Sequence, residues 1–200
     1  MDLSALPYLV SFAIVSSITP GPNNLMVMAS GANFGLRRTL PHMLGISGGF
    51  AIMAFLAGLG LARLFDALPW AEIAMKGLAA AFLLYLAWKI ANAAAPKGAN
   101  SNARPMTFLQ AAAFQWVNPK AVYMAITAIT AYMPDGTGAF GATYVAVTFA
   151  VLNLPCISVW AVAGMRMRQL LTRPRYLRAF NWTMAGLLVL TLIPILRAEI

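Results

Sequence analysis

Hydrophobic residues form six long runs along the chain, separated by short polar or charged stretches. The runs cover approximately residues 4–34, 40–62, 70–92, 107–133, 138–165 and 177–197. About 20 apolar residues are enough for a helix to cross a lipid bilayer, so each run is long enough to span one. No long stretch shows the apolar–polar alternation that is typical of strands. The pattern therefore predicts an all-α integral membrane protein with six transmembrane helices.

The first run is interrupted by Pro20, Gly21 and Pro22, and Asn23 and Asn24 follow directly. Proline lacks a backbone N–H and its ring clashes with the carbonyl four residues earlier, so a helix must break here. In lipid, the backbone groups that a break frees need protein partners or water in a cavity. These five residues are therefore candidates for binding a small polar ligand. A kinked helix packed against its neighbours is the alternative, because proline and glycine are common in membrane helices.

A second interruption lies in the fourth run, at Asn118-Pro119-Lys120. Lys120 follows the start of the run by about 14 residues, which places it about 20 Å along the helix. A lysine at the membrane midplane costs at least a few kcal/mol and needs a partner or a water-filled site. Gln115, Asn118, Pro119 and Lys120 are therefore further candidates for the binding site. The alternative for Lys120 is to cap the carbonyls that Pro119 frees.

The two breaks occupy matching positions in two halves of three runs each. Residues 1–93 form the first half, residues 94–106 a loop rich in proline, glycine and asparagine, and residues 107–200 the second half. Three spans per half give the halves opposite orientations in the membrane, and paired breaks in such an inverted repeat indicate a transporter site near the midplane. We therefore predict one membrane domain, residues 1–200, with its first and fourth helices broken.

Basic residues cluster in three of the connecting stretches, namely around Arg37, between Lys89 and Arg104, and between Arg166 and Arg178. The positive-inside rule places these stretches in the cytoplasm. Both termini then lie outside if the first run crosses once, whereas a re-entrant hairpin would put the N-terminus inside. We expect no removable signal peptide, because no basic residue precedes Arg37 and no cleavage site follows a short apolar core.

Composition narrows the function classes. The 200 residues are 61% hydrophobic and 10% charged, whereas soluble domains are about a quarter charged. The net charge is +9, and the basic residues that produce it lie between the apolar runs. Membrane topology explains this placement, so we expect no nucleic-acid partner. The single cysteine, Cys156, can form no internal disulfide. We find no nucleophile–base pair and no Cys/His cluster, so we expect no enzyme activity, no metal and no cofactor.

The interior offers one positive charge but no negative one, because all five acidic residues lie at the ends of runs. A helix N-terminus and Lys120 suit a carboxylate, whereas freed carbonyls and asparagine side chains suit an ammonium. Together they favour a small zwitterion. Asn153, two residues before Pro155 in the fifth run, could also face the site, and a local kink is the alternative.

Proton coupling has two candidate residues. A buried lysine can exchange its proton near neutral pH, which makes Lys120 the first candidate. The single histidine, His42, is the second. It lies near the predicted cytoplasmic rim, where a satisfied or solvated histidine is the alternative.

Several of these segments resemble the LysE/RhtB family of bacterial amino-acid exporters. The resemblance rests on Thr19–Asn24, on Gly31 and Gly35 with Arg37 after them, on Leu86–Ala91 and on Gln115–Lys120. It covers essentially the whole chain, and it implies a six-span exporter of amino acids or derivatives that uses the proton gradient.

Within the family, Asn23-Asn24, Trp88–Ala91 and Thr127-Ala128 are most similar to the cysteine and O-acetylserine exporter branch. The lysine-exporting branch carries an aspartate early in its second span. The corresponding stretch here, Gly45–Gly48, has no acid. This difference disfavours lysine or arginine as the substrate.

We therefore predict secondary-active export of a small neutral amino acid or derivative across the bacterial inner membrane. Cysteine, O-acetylserine, threonine and homoserine are all candidates, with protons as the coupling ion. A basic amino-acid exporter and a permease for other ions or solutes, with a similar fold, are the alternatives. The sequence leaves open which amino acid is carried and whether the protein forms a homodimer.

Overall fold

The computed structural model describes residues 5–61, 69–92, 104–167, 171 and 173–193. Within these residues the chain forms eight α-helices and no strand, which confirms the all-α prediction. The helices are α1 (Leu6–Ile18), α2 (Pro22–Phe34), α3 (Leu36–Leu56), α4 (Pro69–Ala91), α5 (Phe108–Phe114), α6 (Pro119–Tyr132), α7 (Gly138–Met167) and α8 (Pro174–Leu190). Most of the predicted loop 94–106 and the end of the sixth predicted span lie outside the described residues.

Among the described residues, two helical segments are long and apolar enough to cross a membrane without interruption. They are Leu36–Gly60, with 25 residues, and Gly138–Met167, with 30 residues. The first and fourth predicted spans fall short because their breaks divide them, into helices of 13 and 13 residues and of 7 and 14 residues. Each piece is shorter than the roughly 20 residues that one helical crossing needs.

Both breaks lie where the sequence predicts them and are built alike. At the first, Thr19 and Gly21 are extended, and Pro22 is the first residue of α2. At the second, α5 continues into a short 3₁₀ turn, Asn118 is extended, and Pro119 is the first residue of α6. Proline suits the first helical position because its missing N–H would have had no partner there.

The two long helices, α3 and α7, form an antiparallel pair at the centre of the molecule. The middle of α3 and the C-terminal part of α7 share a buried cluster, which contains Ile46 and Ala161. Further along, the ring centroids of Phe50 and Phe149 lie 4.8 Å apart. Gly58, just beyond α3, lies against Ala142 near the start of α7. The residue numbers therefore run in opposite directions along the pair.

The first interrupted helix lies along α7 and runs in the same direction. In α1, the ring of Phe12 lies 6.1 Å from that of Phe149, and the Ile18 carbonyl accepts a hydrogen bond of 3.0 Å from Trp160 Nε1. In α2, Met28 and Ala32 lie against Gly164. Both α1 and α2 thus advance toward the C-terminal end of α7. They are arranged as two parts of one interrupted helix and not as a hairpin.

The second interrupted helix lies along α3 in the same manner. Gly45 of α3 lies against Phe108 of α5, and Gly49 lies against Ala112. Ile129 of α6 reaches Gly58, further along. Outside this group, α4 and α8 pack against each other, with Leu83 and Leu188 in their shared buried cluster.

Candidate functional site

The two breaks meet through Lys120. Its ammonium donates hydrogen bonds to the carbonyl oxygen of Thr19 at 2.7 Å and to Thr19 Oγ1 at 2.9 Å, and it lies 3.4 Å from the carbonyl oxygen of Pro20. The break leaves these carbonyls without helical partners, and the C-terminal end of a helix carries partial negative charge. Lys120 is thus a cap, as the alternative proposed, but it caps the first break and not the one at Pro119.

Gly21 makes this contact possible. A Cβ atom at this position would lie 2.8 Å from Lys120 Cδ and 3.2 Å from Lys120 Nζ. The backbone of Gly21 is extended, so other residues could adopt its conformation. Glycine therefore leaves space here for the lysine side chain, which passes directly over it and would have to shift for a larger residue.

Asparagine and glutamine amides hold the remaining parts of the breaks together. Asn24 Nδ2 donates to the carbonyl oxygens of Ser17 at 2.8 Å and of Thr19 at 2.7 Å. Asn23 and Gln115 form a reciprocal pair across the two breaks, at 2.8 and 3.3 Å. Gln115 also donates to the carbonyl oxygen of Ala111 at 2.8 Å. Asn24 therefore connects the two sides of the first break, and the Asn23–Gln115 pair connects the first break to the second.

A cavity lies where the two breaks meet, with about 330 Å³ of free space including its open mouth. Six of the sequence-predicted site residues line it: Gly21, Asn23, Asn24, Asn118, Lys120 and Asn153. Its other lining residues are Ser16, Ser17, Phe50, Ala121, Met124 and Ile157. Four predicted site residues do not line the cavity: Pro20, Pro22, Pro119 and Gln115. The prolines shape the cavity by breaking the helices, and Gln115 does so through its hydrogen bonds to Asn23.

Sequence reasoning missed the serines and the apolar wall. Ser17 lies three residues before Pro20, where the break begins, so its position alone could have nominated it. Phe50, Met124 and Ile157 lie in long apolar runs that carry no signal for a site. They come to the cavity only because α3, α6 and α7 pack around it.

His42 lies on the inward face of α3, is 1% exposed, and is not among the residues that line the cavity. Neither of its ring nitrogens has a hydrogen-bond partner among the described residues. The expectation of a satisfied or solvated histidine was therefore wrong. The reason is that His42 lies on a face of α3 that packs against other helices. The same face carries Thr39, which is fully buried and hydrogen-bonded to Ser30 of α2.

The chain matches the family model of the LysE type translocators over residues 14–193. It is 31% identical over 182 residues to a cysteine/O-acetylserine efflux protein of Escherichia coli K12, which covers 90% of this chain and 91% of the relative. It is 29% identical over 181 residues to the protein of the same description from Klebsiella pneumoniae, with the same coverage. No solved structure matches the chain significantly.

These findings confirm the resemblance that the two interrupted segments indicated. The family match covers both breaks, both long helices and the cavity between them. LysE-type proteins are translocators, so this protein is a membrane transporter and not an enzyme. The chain belongs to the LysE-type translocator family.

Proposed function

We propose that this protein exports a small neutral amino acid or derivative, of the cysteine or O-acetylserine type, across the bacterial inner membrane. The observation that carries the proposal is the cavity lining, which, as far as the described residues go, contains amides, hydroxyls and one lysine but no carboxylate. A cationic substrate would need a negative partner in such a site, and a zwitterion does not. The E. coli and Klebsiella relatives named as cysteine/O-acetylserine efflux proteins support the same substrate class.

The described contacts support six spans in two inverted halves. Each interrupted helix packs along the long helix of the other half, α1–α2 along α7 and α5–α6 along α3. The long helices are antiparallel, so the interrupted helices run in opposite directions as well. If each helix is replaced by its counterpart in the other half, the same pairs of helices are therefore in contact. This is the arrangement expected of an inverted-repeat transporter with its site between the repeats.

Exposed apolar side chains support a lipid environment. On α4, Ile73 is 75% exposed and Trp88 is 65% exposed, and on α8 Trp182 is 61% exposed. Side chains of this size in contact with water would be costly, whereas lipid tails accommodate them. We therefore propose that α4 and α8 face the bilayer and complete the third and sixth spans.

Within the cavity, we propose that Lys120 binds the substrate carboxylate, assisted by the N-terminal amides of α2 and α6. Asn23, Asn24 and Gln115 are engaged with the protein, so they hold the shape of the site. Lys120 and His42 remain our candidates for proton coupling. Lys120 has to leave the Thr19 carbonyl to meet a substrate, and this movement would link its proton to binding.

Counterflow in proteoliposomes tests the proposal. Vesicles containing the purified protein and preloaded with one unlabelled amino acid are mixed with labelled O-acetylserine, cysteine, threonine, homoserine, lysine or arginine. We expect accumulation of labelled neutral amino acids and none of lysine or arginine. Transport of lysine alone would favour the basic amino-acid exporter. Absence of all six activities, with the protein folded, would favour a permease for other solutes.

A further inference from the structure

Two polar atoms of residues that line the cavity, Ser17 Oγ and Asn118 Oδ1, have no hydrogen-bond partner within the part of the chain that the structure describes. Ser17 is 5% exposed and Asn118 is 1% exposed, so bulk water does not compensate them. Buried polar groups in folded proteins almost always have a partner, because leaving one unpaired is costly. The two atoms therefore need an explanation, and their place in the cavity wall indicates a ligand.

Ser17 omits the bond that a helical serine ordinarily makes. Serine hydroxyls in helices commonly donate to the carbonyl four residues earlier. Ser11 donates in this way to Pro7 at 2.8 Å, Ser16 to Phe12 at 2.5 Å and Ser158 to Leu154 at 2.7 Å. Ser17 lies on the same helix as Ser11 and Ser16, yet its hydroxyl has no such bond. Its hydroxyl is therefore left without a partner among the described residues, at a residue that lines the cavity.

Asn118 likewise omits its usual local bond. It is the N-cap residue of α6, a position that favours asparagine because Oδ1 can accept from the amides of the first turn. Here the side chain makes no such capping bond. Its oxygen is therefore also left without a partner among the described residues.

We propose that Ser17 Oγ and Asn118 Oδ1 form the subsite for the α-ammonium of the substrate. An ammonium carries three donors and no acceptor, so its chemistry matches two unpaired acceptor oxygens in one cavity wall. Oδ1 is an acceptor, so it suits an ammonium and not the oxygens of a carboxylate, which are acceptors as well. Lys120 lines the same cavity and takes the carboxylate. The inference rests on the proposed function and deepens it.

The assignment defines the substrate class chemically: the α-amino group must be free and protonated. O-Acetylserine and N-acetylserine are isomers that differ in whether this group is free, so they are a matched pair of ligands. The wild type should bind the first and reject the second. The difference between them should depend on Ser17 and Asn118.

The test compares Ser17→Ala and Asn118→Leu with the wild type in counterflow of labelled O-acetylserine, with unlabelled O-acetylserine or N-acetylserine as competitor. We expect each variant to raise the half-saturation concentration about tenfold, the loss of one hydrogen bond to a charged group. We also expect the preference for O-acetylserine over N-acetylserine to shrink. Ser11→Ala is the matched control, because it removes a serine hydroxyl from the same helix outside the cavity.

Unchanged half-saturation and unchanged selectivity in both variants would overturn the inference while leaving the proposed function intact. If the wild type carries no amino acid at all, the proposed function itself fails. Should Ser17→Ala not accumulate in the membrane, Ser17→Cys carries the same expectation, because it keeps the size of the side chain but accepts hydrogen bonds only weakly.

Discussion

At the scale of single residues, the site depends on one lysine reaching across two breaks. Lys120 lies on α6, and its ammonium binds the end of α1, 101 residues earlier in the chain. The contact satisfies carbonyls that a broken helix leaves free, and it keeps a positive charge beside the cavity. The same residue therefore closes the structure and supplies the charge for the ligand.

Gly21→Ala should impair transport more than folding. The new Cβ would meet Lys120 Cδ at 2.8 Å, and a flexible side chain can move aside at a cost of about 1 kcal/mol or less. Moving Lys120 weakens its bonds to Thr19 and disturbs the ligand site. We expect reduced counterflow with a nearly unchanged melting temperature in detergent. Gly48→Ala is the control, since a Cβ there would make only ordinary contact with Phe108 at 3.4 Å.

Lys120→Arg should separate binding from proton coupling. Arginine keeps the positive charge but does not give up its proton at physiological pH. We expect counterflow of labelled O-acetylserine to persist and accumulation driven by an imposed pH gradient to be lost. If gradient-driven transport survives the substitution, Lys120 does not lie on the proton path, and His42 becomes the remaining candidate.

At the scale of helices, glycines decide where the backbones of two helices come into direct contact. A Cβ on Gly31 of α2 would lie 2.2 Å from the Ala161 carbonyl of α7, and one on Gly164 would lie 2.0 Å from the Met28 carbonyl. The backbones of α2 and α7 are thus in direct contact, and α3 and α5 meet in the same way at Gly45. Each interrupted helix is held to a long helix of the other half.

Gly31→Ala and Gly164→Ala should each destabilise the protein by about 1–3 kcal/mol, because the added methyl group meets backbone that cannot rotate away. The measurement is the melting temperature in detergent. Gly186→Ala on α8 is the control, since nothing lies within 4 Å of a Cβ there and alanine favours a helix. Equal melting temperatures for all three variants would contradict the close contact of α2 and α7.

At the scale of the whole molecule, the direction of α1 and α2 along α7 has a consequence for topology. Both helices advance the same way, so the first segment should cross the membrane once. The N-terminus and the turn around Asp135 then lie outside, and Arg37 lies in the cytoplasm. A re-entrant first segment would place the N-terminus on the same side as Arg37.

Labelling of single cysteines tests this arrangement in a Cys156→Ala background. We expect a membrane-impermeant thiol reagent to modify Ala5→Cys and Asp135→Cys in spheroplasts, and Arg37→Cys only after permeabilisation. Cys156 is buried and has to be removed only to exclude background. Protection of Ala5→Cys until permeabilisation would favour the hairpin.

The sequence by itself determined where the helices break and which kind of protein this is. Pro20, Pro22 and Pro119 cannot continue a helix whatever surrounds them, and long apolar runs without charge belong in lipid. The motifs around the breaks were sufficient to indicate the family. These are local properties, so they could be read without knowing which segments meet.

Only the tertiary structure decided which atoms are used and which remain free. The sequence assigned Asn23, Asn24 and Gln115 to the ligand, but packing pairs their amides with the protein. Packing also leaves Ser17 Oγ and Asn118 Oδ1 without a partner among the residues that the structure describes. It buries His42, which the sequence placed near the cytoplasmic rim. Whether a polar group is satisfied depends on neighbours distant in the chain, which no local pattern specifies.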